Sequence, residues 1–81
     1  MIHVIKLSQP YFDHVWNGLK DFEVRKNDRN YQLGDRLKMV ESTTITPIPG
    51  RRYILKDIKY ILHGGQHGIA PGYVVIGLKD V

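Results

Sequence analysis

The sequence predicts a single mainly β domain of the α+β class, folded as a small bent β-barrel of about five strands with one N-terminal α-helix. Its 81 residues are typical of one domain, residues 1–81. Helical periodicity is confined to one stretch near the N-terminus, and short strand-like runs follow it. Five strands and one helix bury more apolar surface as a bent barrel than as an open sheet, and a barrel leaves fewer exposed edges. A ferredoxin-like sandwich, the alternative, requires a second helix.

The first strand and the helix are predicted from the N-terminal twenty residues. Residues 1–7 are a short apolar run typical of a strand. Ser8 is the expected helix N-cap, since Pro10 is tolerated in a first helical turn. Apolar residues then recur at the spacing of one helix face, and we expect them to pack in the core. They are Phe12, Val15, Trp16 and Leu19. Gly18 or the residues after it would end the helix.

Four further strands are expected after the helix, each with apolar residues and bounded by turn residues. They are residues 22–25, 37–40, 53–62 and 72–79. In the first, Phe22 and Val24 alternate with charged residues, which predicts a half-buried strand with both apolar side chains facing the core. In the third of these strands, the apolar positions switch from one face to the other near Lys56, which indicates a bulge. The last is apolar on both faces, as in a central strand covered on both sides. Residues 41–51 are expected to form an exposed connection.

Composition restricts the chemistry. Twelve Lys and Arg against eight Asp and Glu give a net charge of +4, which favours a polyanionic partner such as RNA. The chain has no cysteine, so disulfides and thiolate metal sites are excluded. His63 and His67 are four residues apart, but Gly64 and Gly65 between them argue against a helical zinc site. We expect neither metal nor cofactor. Without a membrane-length apolar run, we expect a cytoplasmic protein.

The segment GLKDFEVRKNDR, residues 18–29, holds seven charged residues of both signs. Glu23 and Arg25 share one face of the predicted strand, and Lys20 can turn towards them. Lys and Arg are suited to gripping phosphate, and Glu to accepting a proton or positioning a cation. An exposed ion pair on a solvated face is the alternative from pattern alone. Asn27 and Asp28 are typical of a turn.

A second basic group lies in the C-terminal half. It combines cations with aromatic rings, an arrangement in which rings stack on bases and cations follow phosphates. Its members are Arg51, Arg52, Lys56, Tyr60 and His67. A solvated strand face with half-buried tyrosines is the alternative.

The charged segment also carries a family resemblance. The pattern G-x-K-x-x-E-x-R, present as Gly18, Lys20, Glu23 and Arg25, resembles the signature of ASCH (activating signal cointegrator homology) domains, a branch of the PUA-like superfamily. With RKNDRNYQLGD and the terminal GYVVIGLK, the chain is similar to a small ASCH-like family of bacteria and phages. The resemblance implies a PUA-like barrel that binds RNA or a nucleotide-like ligand in a cleft between helix and barrel.

The resemblance places ligand contacts on the charged segment. The expected nucleic-acid-binding residues are Lys20, Glu23, Arg25, Lys26 and Arg29. Some ASCH proteins are amidohydrolases that act on an acylated cytidine through a lysine, a threonine and a glutamate. Here the lysine falls on Lys20, but Glu23 occupies the threonine position. We therefore expect a binding module, with a nucleoside amidohydrolase or ribonuclease using Lys20 and Glu23, or a protein–protein adaptor, as alternatives.

Overall fold

The computed structural model describes residues 1–42 and 51–81, which form five strands and one helix. In chain order they are β1 (Ile2–Ser8), α1 (Tyr11–Trp16), β2 (Phe22–Lys26), β3 (Arg36–Ser42), β4 (Tyr53–His63) and β5 (Tyr73–Asp80). The mainly β content, the number of strands and the single N-terminal helix are confirmed. Within these ranges no helix is long and apolar enough to cross a membrane.

The five strands form one curled sheet, a half-barrel, in the order β1-β3-β4-β5-β2. β1 runs parallel to β3, and the other neighbours are antiparallel. β1 and β2 are therefore the two edges of the sheet, although they are the first two strands along the chain. The curl turns the inner face of the sheet into the core.

The core is formed by the inner face of the sheet and by one side of α1. It contains strand residues at alternating positions together with Phe12 and Val15 of the helix. The largest side chains that are almost fully buried are Phe12, Leu37, Met39, Ile58 and Ile76. Alternation in β1, β3 and β5 follows the pleat, so that every second side chain is removed from water.

The predicted helix is correct in place but too long. Ser8 is the last residue of β1 rather than the N-cap, which is Pro10. The helix ends at Trp16, and Gly18 follows with a φ of +78° that turns the chain towards β2. The expectation that Trp16 and Leu19 lie in the core is wrong, because they are 50% and 79% exposed. A helix of six residues has too few turns to bury all four apolar positions.

The predicted orientation of β2 is also wrong. Phe22 and Val24 are 43% and 54% exposed, whereas Glu23 is only 3% exposed. Glu23 and Arg25 face the inside of the half-barrel, whereas Phe22 and Val24 face outward. The cations that compensate the buried charge of Glu23 belong to the candidate site described below.

The other strand predictions need smaller corrections. The bulge in β4 lies between Ile58 and Tyr60 rather than at Lys56. β5 is internal, between β4 and β2, but only one of its faces is fully buried, and Val75 on the other face is half-buried. In the predicted connection, residues 41 and 42 belong to β3, and residues 43–50 lie outside the described residues.

Arg52 attaches the helix to the end of β3. Its guanidinium donates hydrogen bonds to Glu41 at 3.0 Å and to Asp13 at 2.9 Å. It also lies 5.1 Å from the centre of the Phe12 ring and 4.8 Å from that of Trp16. Glu41 is buried, so this cation compensates a carboxylate held away from water.

We expect thermal stability to fall in acid, in part through Glu41. Hydrogen bonds from Arg52 hold the pKa of Glu41 below its usual value of 4.5. A lowered folded-state pKa stabilises the protein above the unfolded-state pKa, and that stabilisation is lost as the pH falls through the folded-state pKa. The melting temperature should therefore decline below about pH 4.5. Thermal melts should show a shallower decline for Glu41→Gln, and an identical slope would contradict this role.

Candidate functional site

The candidate site is built around the buried carboxylate of Glu23. Lys20 forms an ion pair with one of its oxygens, and the Nε of Arg25 donates to the other at 3.1 Å. The three side chains are largely shielded, with 18% of Lys20 and 27% of Arg25 exposed. The Lys20–Glu23–Arg25 cluster predicted from the charged segment is therefore present as one connected group.

The register between β2 and β5 explains why these charges face inward. Glu23 lies opposite Ile76, and Arg25 lies opposite Val74. Directly opposed residues on antiparallel strands share a face, and both β5 partners are buried in the core. A hydrogen bond of 2.8 Å from the Leu78 amide to the Asp21 carbonyl extends the same pairing to the residue before β2.

Arg25 also connects the two edges of the sheet. Its guanidinium donates to the backbone carbonyl oxygen of Lys6 in β1, while its Nε contacts Glu23. β1 and β2 are not neighbours in the sheet. A charged side chain thus spans the opening of the half-barrel, where a closed barrel would have backbone hydrogen bonds.

A cavity of about 550 Å³ lies at this opening, beside the start of α1. It is lined by Lys6, Leu7, Ser8, Tyr11, Lys20, Glu23, Val24, Arg25, Lys26, Ser42 and Tyr73. Four of these residues are cationic, and Glu23 is the single acidic one. Lys20 is further held by aromatic rings, with its Nζ 5.4 Å from the ring centres of both Tyr11 and Phe22.

The predicted nucleic-acid-binding residues fall into two places. Lys20, Glu23, Arg25 and Lys26 line the cavity, whereas Arg29 lines an adjacent groove that also includes Arg25. Asn27 lies in the turn, where its side-chain oxygen accepts a hydrogen bond from the Tyr31 amide at 3.3 Å.

The second basic group does not converge on the cavity. Arg51 lines the same groove as Arg29. Arg52 is engaged with Glu41 and Asp13, and Lys56 pairs with Asp80 on another part of the surface.

The last two members of that group, Tyr60 and His67, do not line the cavity. The Tyr60 side chain is exposed. His67 lies in a turn with a φ of +55°. Among the described residues, no one depression therefore brings all members of this group together.

Sequence reasoning missed several residues that line the cavity. Tyr11 lies on the exposed side of α1, Tyr73 begins β5 and Ser42 ends β3. No local pattern distinguishes them, because only the curl of the sheet brings the ends of these elements together. Among residues 1–42 and 51–81, no group of three or more His, Asp or Glu side chains is arranged to hold a metal ion.

Comparison with known proteins gives a family but no activity. Residues 2–78 match the family model described as "Domain of unknown function (DUF3850)". Over 40 residues the chain is 52% identical to the "Uncharacterized 12.9 kDa protein in GpA 3'region" of Escherichia phage P2. That match covers 49% of this chain and 37% of the phage protein, and it is compatible with the predicted small family of bacteria and phages. Because the family model spans nearly all of its length, the chain belongs to the DUF3850 family.

Proposed function

We propose that this domain is an ASCH-type, PUA-like module that binds RNA or a nucleotide in the cavity at the opening of the half-barrel. The observation that carries the proposal is the buried Lys20–Glu23–Arg25 cluster at the edge of an open cavity. Both further charged residues of the cavity wall, Lys6 and Lys26, are cationic. This distribution is suited to a ligand that carries negative charge and a polar base edge.

Each member of the cluster has chemistry suited to a nucleotide. Arg25 offers a planar guanidinium that binds phosphate oxygens in a bidentate manner, and Lys20 adds a compact positive charge. Carboxylate oxygens accept more than one hydrogen bond each, so Glu23 retains the capacity to accept one from the amino group of a base. Tyr11 and Tyr73 supply aromatic rings in the same cavity, and unstacked bases pack on such rings.

A purely structural role explains the cluster less well. A buried ion cluster contributes little to stability compared with apolar residues of similar volume. Both edge strands of the half-barrel reach this cluster. Ordinary pairing between these two strands would satisfy their backbone hydrogen bonds without any charged side chain. A ligand that needs both cations and a carboxylate accounts for their presence at this position.

The same contacts favour binding over hydrolysis. Each oxygen of Glu23 already accepts a hydrogen bond from a cation, so the carboxylate is fixed between Lys20 and Arg25 and is not free to move to a reacting atom. In this arrangement Glu23 positions Lys20 and Arg25 for a ligand.

We expect the triple variant K20M/E23M/R25M to lose affinity for RNA. It removes the charged contacts without leaving a buried carboxylate unpaired. The effect of the substitutions on binding can therefore be measured on a protein that still folds. Lost hydrogen bonds to charged groups should weaken binding at least about tenfold. Fluorescence anisotropy with a labelled single-stranded RNA measures this. Lys59→Gln, which changes the net charge by the same single unit at an exposed position, is the control. Equal affinity of the folded triple variant and the wild type would refute the site.

A further inference from the structure

We propose that the ligand is a single-stranded nucleic acid, with one base in the cavity and its phosphate backbone continuing along a neighbouring basic groove. This inference rests on the proposed function and specifies its ligand class. The basic groove is the surface depression of about 410 Å³ lined by Lys6, Arg25, Arg29 and Arg51, together with apolar residues of β1 and β3.

The basic groove adjoins the cavity. Lys6 and Arg25 line both, and the contact between the Arg25 guanidinium and the Lys6 carbonyl forms the boundary. A chain that leaves the cavity past Arg25 therefore enters the groove. Arg29 from the turn after β2 and Arg51 from the approach to β4 extend the positive surface beyond that point.

The charge of the basic groove is complementary to phosphate. All four charged residues in its wall are cations. Among the described parts of the chain, no acidic side chain forms an ion pair with Lys6, Arg29 or Arg51. An uncompensated row of cations attracts a polyanion and releases counterions when it is neutralised.

A second basic depression provides a contrast. The groove of about 260 Å³ near the end of β5 is lined by two acidic residues, Asp21 and Asp80, and by four lysines, Lys20, Lys56, Lys59 and Lys79. There Asp80 pairs with Lys56. Acidic side chains in that wall offset half of its positive charge, whereas the described wall of the basic groove contains no acidic side chain.

The cavity and the basic groove are lined by different kinds of side chain, so that the cavity is suited to a base and the groove to phosphates. Tyr11 and Tyr73 line the cavity, whereas the wall of the basic groove contains Val4, Ile5 and Val40 but no aromatic ring among the described residues. Aromatic rings stack on bases, and cations follow the backbone. A base held against the cavity tyrosines must be unstacked from its neighbours, which is the normal state of a single strand rather than of a duplex.

The test compares two double variants with the same loss of charge. R29Q/R51Q removes the distal cations of the basic groove, and K59Q/K79Q removes two exposed cations of the groove near the end of β5. Binding of a ten-nucleotide single-stranded RNA, and of its duplex with the complementary strand, is measured by anisotropy over a series of salt concentrations. Binding of each of the four nucleoside 5′-monophosphates is measured by calorimetry.

We expect R29Q/R51Q to bind the RNA at least about tenfold more weakly and to lower the slope of log K against log salt by about 1.4, since each phosphate contact of a single strand contributes about 0.7. The affinity of the preferred monophosphate should stay within about twofold, because only the cavity holds it. K59Q/K79Q should retain the wild-type slope.

Three results would overturn the inference. If both double variants lower the slope equally, the effect is one of net charge and the basic groove has no special role. If R29Q/R51Q weakens duplex RNA as much as single-stranded RNA, the single-strand assignment is wrong. If wild type binds a monophosphate as tightly as the RNA and with the same salt slope, the groove is not used although the proposed function stands. Failure of the wild type to bind either ligand removes the proposed function itself.

Discussion

Replacing both Lys20 and Arg25 by Met destabilises the domain by about 3–5 kcal/mol, because the double variant leaves Glu23 as an unpaired buried charge. Glu23 is 3% exposed, and each of its carboxylate oxygens is engaged by one of these two cations. Among the described residues, no other cation forms an ion pair with Glu23. Urea unfolding followed by circular dichroism measures the change in the free energy of unfolding.

The third substitution distinguishes charge compensation from packing. K20M/E23M/R25M removes the unpaired charge, and replacing an entire buried ion cluster by apolar residues is often neutral or stabilising. We therefore expect the triple variant to recover most of the lost stability. If the double and triple variants unfold at the same urea concentration, the loss comes from packing of the long side chains. K59M/K79M controls for removal of exposed lysines.

Phe12→Ala is expected to destabilise the domain by about 3–5 kcal/mol, as for other large-to-small changes at fully buried aromatic residues. Phe12 has no exposed surface, and its ring also contacts Trp16 at 5.8 Å and the guanidinium of Arg52. Small domains have about 5–15 kcal/mol of total stability. This substitution should therefore remove a large part of it and lower the melting temperature accordingly.

Leu19→Ala is the matched control for Phe12→Ala. The two positions share a predicted helix face, but Leu19 lies beyond the end of α1 and is 79% exposed. Surface substitutions of this kind change the free energy of unfolding by less than about 0.5 kcal/mol. Comparable destabilisation by the two substitutions would mean that the helix extends further and that Leu19 packs in the core.

Much of the secondary structure could be predicted from local patterns. Short apolar or alternating runs bounded by turn residues located all five strands, and the i, i+3, i+4 spacing located the helix. The end of the helix was harder to predict, because the apolar spacing continues to Leu19 although the chain has already turned at Gly18. Local spacing contains no information about where the next strand requires the chain to go.

The orientation of β2 shows a different limit. Alternation predicts two faces but does not state which face is buried, and hydrophobicity alone favours Phe22 and Val24. The register with β5 instead turns Glu23 inward, where Lys20 and Arg25 compensate its charge. The charged segment was correctly recognised as a cluster, but its burial follows from pairing with residues fifty positions away in sequence.

Composition and local spacing are sufficient to predict the local elements of this protein, the absence of thiol chemistry and the proximity of Lys20, Glu23 and Arg25, because these depend on neighbouring residues. Which strands became the edges of the sheet, and which ends met at its opening, depends instead on the tertiary fold. Tyr11 and Tyr73 share a cavity, and Arg29 and Arg51 share a groove, only because the sheet curls. Such contacts arise from long-range strand pairing, and no local pattern encodes them.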